Sequence, residues 1–235
     1  MIGERIAAVR ERVSRAAARA RRGDDSVTLV AVSKTQDALS VRAAFAAGVR
    51  AFGENRVQEA EGKAQALADL RGAGLEWHLV GHLQENKARK AAPLFDLIHS
   101  VDGLSLGGKL ARVAAEGGRT ARALVQVDLA GEETKFGVPE DHLFPVLEGL
   151  RELPGLRLEG LMLIPPFFDE PERTRPFFRR LRALRDQALE RGLLARGDLS
   201  MGMSHDFEVA IEEGATLVRV GTAIFGERKT LPSVP

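Results

Sequence analysis

The sequence predicts an α/β fold, a closed (β/α)8 barrel with an extra N-terminal helix, on three observations. Short apolar or β-branched runs alternate eight times with Ala/Leu/Arg/Glu-rich stretches, and no linker-like segment interrupts the series. A chain of 235 residues is close to the ~250 typical of such barrels. The rival, an open doubly wound sheet, would carry G-x-G-x-x-G after its first strand, whereas here that strand runs into Ser33-Lys34-Thr35. Residues 1–235 are therefore expected to form one TIM-type barrel domain, with a helix within 1–23 packed on it.

The N-terminal helix is predicted over 2–22. Ile2, Ile6, Val9, Val13 and Ala17 recur at three- and four-residue steps and share a face. Seven arginines against Glu4 and Glu11 make the remainder basic. A solvated helix face is a simpler reading of that charge than an anion-binding or transit segment. Gly23-Asp24-Asp25 ends the helix. Strands are predicted over 27–33, 49–52, 76–80, 97–100, 123–127, 157–162, 198–201 and 216–220. Helices are predicted over 37–47, 55–70, 84–92, 103–116, 139–151, 171–191 and 205–213, with a short one from Thr222. Gly48, Gly72, Gly117, Gly192 and Gly214 punctuate helix ends. Serial βα units imply parallel strands with right-handed crossovers.

Composition excludes several chemistries. The chain has no cysteine, which removes disulfides, thiolate metal sites and thiol nucleophiles. It has no tyrosine, which removes any phenolic acid or base. A formal net charge of +1 does not suggest a nucleic-acid partner. No apolar run approaches the ~20 residues that span a bilayer, and no secretory signal is evident, so a cytoplasmic location is the default. Of the 34 basic residues only those at 34, 63, 87, 90, 109, 135 and 229 are lysines. A lysine in an apolar stretch therefore calls for an explanation.

A barrel carries its chemistry at the C-terminal ends of its strands. Period-two alternation puts Val30, Val32 and Lys34 on one face of the first strand. An ammonium at an apolar mouth is partly desolvated, which favours the neutral amine that forms Schiff bases with aldehydes. The alternative is a lysine that snorkels to water or pairs with a carboxylate. After the last strand, Gly221 lets an anion approach the backbone, and a helix starting at Thr222 would present free N–H groups to it. Ser204 sits in the preceding loop, either as a phosphate ligand or only as a helix cap. The loops after strands 7 and 8 are the recurrent phosphate site of these barrels. Arg219 shares a face with Leu217 and would look into the mouth, to face a ligand or to pair with a carboxylate such as Glu54. Glu54, Asn55, His82, Gln84 and Asp128 are further mouth candidates, and Met162 packs on a flat ring or fills the core. His78 and His82 share a strand face about 13 Å apart, too far for one ion, so no metal is expected. Lys87, Lys90 and Lys135 read as solvated. A phosphorylated aldehyde satisfies Lys34, Arg219 and the anion cradle together; pyridoxal 5′-phosphate is one, a triose or pentose phosphate another.

Several blocks resemble one known family. They are Ala-Val-Ser-Lys34-Thr, Phe52-Gly-Glu-Asn55, Gln58-Glu59, the run from Trp77 through His82 and Gln84 to Lys87, and Lys135-Phe-Gly137. Gly160-Leu-Met162, the run Leu199 to Asp206, Arg219-Val-Gly-Thr222 and Phe225-Gly226 complete the set. In this order, over about 27–229, they resemble the pyridoxal phosphate homeostasis protein family, which is related to the barrel of alanine racemase. The resemblance implies pyridoxal 5′-phosphate held as a Schiff base on Lys34. Ser204, Gly221 and Thr222 would hold its phosphate, Arg219 would face the pyridine nitrogen, and Asn55 and Met162 would lie beside it. It implies a role in intracellular supply of the cofactor without robust turnover. Amino acids and apo-enzymes that require the cofactor are the further expected partners, membranes are not, and a monomer is expected. Asp128 departs from the family pattern, where Asn is expected, and Gln36-Asp37-Ala38 stands where a Lys-Pro pair is frequent.

Two enzyme readings remain beside the carrier: an amino-acid racemase or related enzyme, and a Schiff-base phosphosugar aldolase. Alanine-racemase-like enzymes add a β-rich domain whose tyrosine is a catalytic base. Eight βα units account for the whole sequence here, and it contains no tyrosine.

Overall fold

The computed structural model describes residues 1–131 and 136–226; Lys135 and the chain beyond 226 lie outside the described residues. Eight strands form the barrel: β1 Thr28–Val32, β2 Ala51–Glu54, β3 Glu76–Leu79, β4 Leu97–Val101, β5 Ala121–Asp128, β6 Leu156–Met162, β7 Asp198–Met203 and β8 Leu217–Val220. All neighbours pair in parallel in the order β4-β3-β2-β1-β8-β7-β6-β5, and β4 pairs with β5 to close the circuit. A two-residue segment, Val138–Pro139, also pairs with the end of β5.

The helices are α1 Ile2–Arg19, α2 Ala38–Ala46, α3 Val57–Ala66, α4 Ala68–Arg71, α5 Ala88–Leu94, α6 Leu104–Glu116, α7 Leu143–Arg151, α8 Arg175–Glu190, α9 Phe207–Glu212 and α10 Thr222–Phe225. α1 stops short of the predicted end because Arg21 turns into the left-handed region (φ 56°) and Arg22 N–H reaches back to Ala17 O. The predicted helix over 55–70 breaks at Leu67 (φ −121°, ψ 24°) into α3 and α4. β2 begins two residues later than predicted, in the register that pairs Ala51 with Val30 and Gly53 with Val32.

Two apolar layers result. The outer one lies between strands and helices, and α1 joins it by burying Ile6, Val9, Val13, Ala16 and Ala17. Its basic side meets carboxylates of α9, Arg12 on Glu208 at 2.8 Å and Arg19 on Glu212 at 2.6 Å. The inner layer is Val30, Ala51, Val80, Leu97, Leu124, Met162 and Leu217, with Val32 and Ile164 against it. No helix among the described residues is long and apolar enough to cross a membrane.

Strand spacing depends on one absent side chain. A Cβ on Gly160 of β6 would lie 1.9 Å from the carbonyl oxygen of Asp198 on β7. A Cβ on Gly62 in α3 would meet nothing within 4 Å. One chemical change should therefore act with opposite signs. Gly160→Ala is expected to lower the unfolding free energy by about 1–3 kcal/mol through overpacking. Gly62→Ala is expected to raise it by about 0.5–1 kcal/mol. Urea denaturation of both variants measures this, and equal effects would contradict the strand contact.

Candidate functional site

Alternation along the strands delivers the predicted mouth. Val30 and Val32 face the barrel interior, and Lys34, two residues on, lines a cavity of about 330 Å³ at the C-terminal end. Asn55, Ile164, Phe167, Ser204, Arg219, Gly221 and Thr222 share that cavity. Six of the seven predicted cofactor residues are thus brought together from β1, β2, β7 and β8.

The anion end is built by a bulge. Register shifts between Ser200 and Met203 of β7, where Gly202 adopts φ 89°. The extra residue brings Met203 into register with Arg219 on the cavity side, two positions beyond the pairing of Ser200 with Leu217, and Ser204 follows at the mouth. Ser204 does not cap α9, the helix that follows it; the N-cap residue there is Asp206. Its Oγ accepts from Gly221 N–H (3.2 Å) and Ala223 N–H (3.4 Å) at the start of α10. A hydroxyl oxygen therefore sits where a phosphate oxygen would find the same donors.

Arg219 is 4% exposed. Its Nη1 donates to Ser200 Oγ (2.6 Å) and its Nη2 to Leu163 O (2.8 Å), so the pairing with Glu54 does not occur. Burial pulls its pKa down to about 10 while Asp206 pulls it back, and the guanidinium stays charged at neutral pH.

Glu54 is buried on the opposite side of β2. Gly53 faces the interior valines, so Glu54 points out toward α3. There it meets Lys63, which composition alone did not single out. Lys63 Nζ donates to Glu54 Oε1 (2.7 Å), Glu59 Oε1 (2.8 Å) and Ser33 O (2.6 Å). Ser33 Oγ donates to the same Glu54 oxygen at 2.6 Å. Burial pushes the Glu54 carboxyl up against the pull of Lys63 and Ser33. This cluster grips the turn that carries Lys34: Glu59 accepts from Thr35 N–H, and Thr35 holds φ 65°. A left-handed β-branched residue costs of order 1–3 kcal/mol and persists only where its surroundings impose it. A buried-looking lysine at i+4 from Glu59 was the one available sequence signal.

Other candidates are employed elsewhere. Met162 is fully buried in the inner layer with Val30 and Leu124, and Ile164, one alternation further along, reaches the cavity instead. His82 stands 3.3 Å from Asp102 and stacks on Phe136 with ring centres 3.5 Å apart. With Gln84, Arg56 and Lys87 it lines an adjoining hollow of about 720 Å³ that shares Asn55. Asp128 accepts from the N–H groups of Ala130 and Gly131, a local turn outside the cavity. His78 bonds to His99 at 3.0 Å, a partner on the next strand. His205, on the cavity wall, was also missed. Its Nε2 lies 3.1 and 3.0 Å from the carbonyls of Phe168 and Asp169 and ties the loop after β6 to the loop after β7.

An amine, a buried guanidinium and a hydroxyl-plus-amide cradle around one cavity fit a planar aldehyde that carries phosphate and a ring acceptor. Residues 5–229 match the model of the alanine racemase N-terminal domain. A pyridoxal phosphate homeostasis protein of Aquifex aeolicus is 46% identical over 226 residues, 96% of this chain and 98% of that one. That of Escherichia coli K12 is 40% identical over 232 residues, 97% of each. PipY of Synechococcus elongatus, solved with PLP bound, superposes with a TM-score of 0.85 at 41% identity, covering 96% of this chain and 100% of that one. Alanine racemase of Corynebacterium glutamicum, 20% identical with a TM-score of 0.63 and matched over 63% of its chain, shares the fold. The chain belongs to the pyridoxal phosphate homeostasis protein family, built on the alanine racemase N-terminal barrel.

Proposed function

We propose that this protein binds pyridoxal 5′-phosphate at its barrel mouth and serves the intracellular supply of that cofactor as a carrier or regulator. The observation that carries the reading is the single cavity shared by Lys34, Arg219 and the Ser204–Gly221–Thr222 cradle. The cofactor supplies an aldehyde, which condenses with an amine to a Schiff base and releases water. Lys34 is the amine aimed into the cavity. Gly221 and Ala223 N–H with the hydroxyls of Ser204 and Thr222 hold the phosphate, and Gly221 lets the chain border the cavity close to Val32, whose carbonyl oxygen a Cβ would meet at 3.3 Å. Arg219 donates to the ring nitrogen, and Asn55 and Ile164 border the ring.

Arginine at that nitrogen favours holding over chemistry. A carboxylate there would keep the nitrogen protonated and the ring a strong electron sink. A guanidinium only donates, so the nitrogen stays unprotonated and the sink is weaker. The absence of tyrosine from the sequence supports the same reading, since these side chains offer no phenol base opposite Lys34. A phosphosugar aldolase would use the same lysine and cradle but gives no role to a buried donor such as Arg219. On this proposal the protein is a cytoplasmic monomer, and amino acids or apo-enzymes that require the cofactor are its partners.

Two measurements test the reading. Pyridoxal phosphate added to the wild-type protein should give a near-visible absorption band, and Lys34→Ala should lose it while keeping its far-UV circular dichroism. A protein that the cofactor cannot colour, or a variant with an unchanged band, would refute the attachment. For turnover, the loaded protein is incubated with L-amino acids in deuterated water. No efficient loss of the α-proton signal is expected by NMR, and rapid exchange would establish an enzyme instead.

A further inference from the structure

Arg219 ends a hydrogen-bonded thread that crosses the barrel core. Its Nη1 donates to Ser200 Oγ of β7 at 2.6 Å. Ser200 Oγ lies 2.8 Å from His99 Nδ1 of β4. His99 Nε2 lies 3.0 Å from His78 Nδ1 of β3. His78 Nε2 lies 3.4 Å from Glu76 Oε2, near the opposite end of the barrel. Ser200, His99 and His78 are buried, while Glu76 reaches solvent.

The donor-only chemistry of arginine sets the direction of the first link, and among the described residues His99 Nδ1 is the acceptor that faces the remaining Ser200 proton. A guanidinium has no acceptor, so Ser200 Oγ accepts from it and has one proton left to give. That proton goes to His99 Nδ1. His99 is then the neutral Nε2–H tautomer and donates to His78 Nδ1. His78 in turn carries its proton on Nε2, facing the Glu76 carboxylate. All protons point away from the mouth, from a fixed cation toward an anion, the arrangement in which successive hydrogen bonds strengthen one another.

We propose that Ser200, His99 and His78 are positioning residues for Arg219, forming a one-way thread that aims the guanidinium at the ligand's ring nitrogen and offers that nitrogen no proton from the core. The proposal rests on the cavity taking pyridoxal phosphate. The neutral state it needs is favoured independently: burial holds the His99 pKa well below the usual imidazole range, and His78 and Arg219 add to that effect. Those two are the titratable groups that act on His99. Asp206 acts on Arg219 from the start of α9, and Arg122 and Arg71 act on Glu76.

The first test uses the full chain without cofactor. In ¹⁵N-labelled protein, His99 should show a bare Nδ1 and a protonated Nε2 from pH 8 to pH 6, with no titration in that interval. A protonated Nδ1, or a His99 that titrates there, overturns the thread. Because no cofactor is present, this outcome is independent of the binding proposal. The second test titrates pyridoxal phosphate into Ser200→Ala and Ser200→Thr. Loss of one hydrogen-bond partner of a buried charge should weaken binding by about 10–100-fold in the alanine variant. Its bound absorption should become pH-dependent between pH 6 and 8, and the threonine variant should restore both properties. An alanine variant with wild-type affinity and spectrum would make the thread packing only and refute the positioning role. If Ser200→Ala does not fold, the wild-type tautomer measurement still decides the direction of the thread.

Discussion

A charged guanidinium in the centre of the barrel is the constraint around which the mouth is organised. Arg219 keeps its proton at neutral pH although burial pulls its pKa down to about 10. An unsatisfied buried charge costs several kcal/mol, so acceptors must be built for it. No carboxylate is in contact with it among the described residues, and Asp206 acts only through space. Ser200 Oγ and the Leu163 carbonyl do the work of acceptors. The Leu163 carbonyl that accepts from Arg219 lies just after β6. Ile164 and Phe167 then follow as part of the cavity wall. Satisfying it at Ser200 keeps that residue in the core, and the bulge at Gly202 sets Met203 beside Arg219 with Ser204 next at the mouth.

A second constraint acts from outside the barrel. Lys63 is 7% exposed and stands between Glu54 and Glu59, so one positive charge is shared by two carboxylates. Its third bond, to Ser33 O, and the bond from Thr35 N–H to Glu59 fasten both flanks of Lys34. The left-handed Thr35 is held by this cluster. Lys34 is aimed inward by its turn, and that turn is tied down by another lysine facing outward. Removing Lys63 would leave Glu54 buried with only a serine hydroxyl for support.

The legible part of the protein was the part written in local periodicity. Eight strands stood out because β-branched runs alternate with helical ones. Lys34 and Arg219 were placed on inward faces by counting in twos from Val32 and Leu217. A strand 2 set two residues too early left Glu54 in the loop beyond it, at the mouth, whereas it is the last residue of β2 and faces outward, because its neighbour Gly53 faces the interior valines. Met162 stood at the right strand end but one layer too deep. The core thread was invisible for another reason. His78, His99 and Ser200 are each ordinary alone, and only the inter-strand stagger of a closed barrel brings strands 3, 4 and 7 into one chain. Cross-strand register is a long-range property, and one sequence does not display it. Lys63 was hidden likewise, since its partners come from the turn after β1, from β2 and from its own helix.

The side chains around the mouth also bear on turnover. Two-base chemistry on a bound amino acid needs a second group opposite Lys34 that can take a proton near neutral pH. Along the cavity wall His205 is the one imidazole, and its Nε2 is engaged with the backbone carbonyls of Phe168 and Asp169. Asp206 lies behind the wall, where its carboxylate accepts from Met203 N–H. His82 lies in the adjoining hollow, against Asp102 and Phe136. Each of these groups braces a loop, and recruiting any of them as a base would loosen the mouth that presents Lys34. On the proposed reading, the same interactions that make the cavity rigid enough to retain a cofactor already engage the imidazoles and Asp206 near it among the described residues. Asp206 thus holds a loop through Met203 N–H and also helps to keep the guanidinium charged in its place.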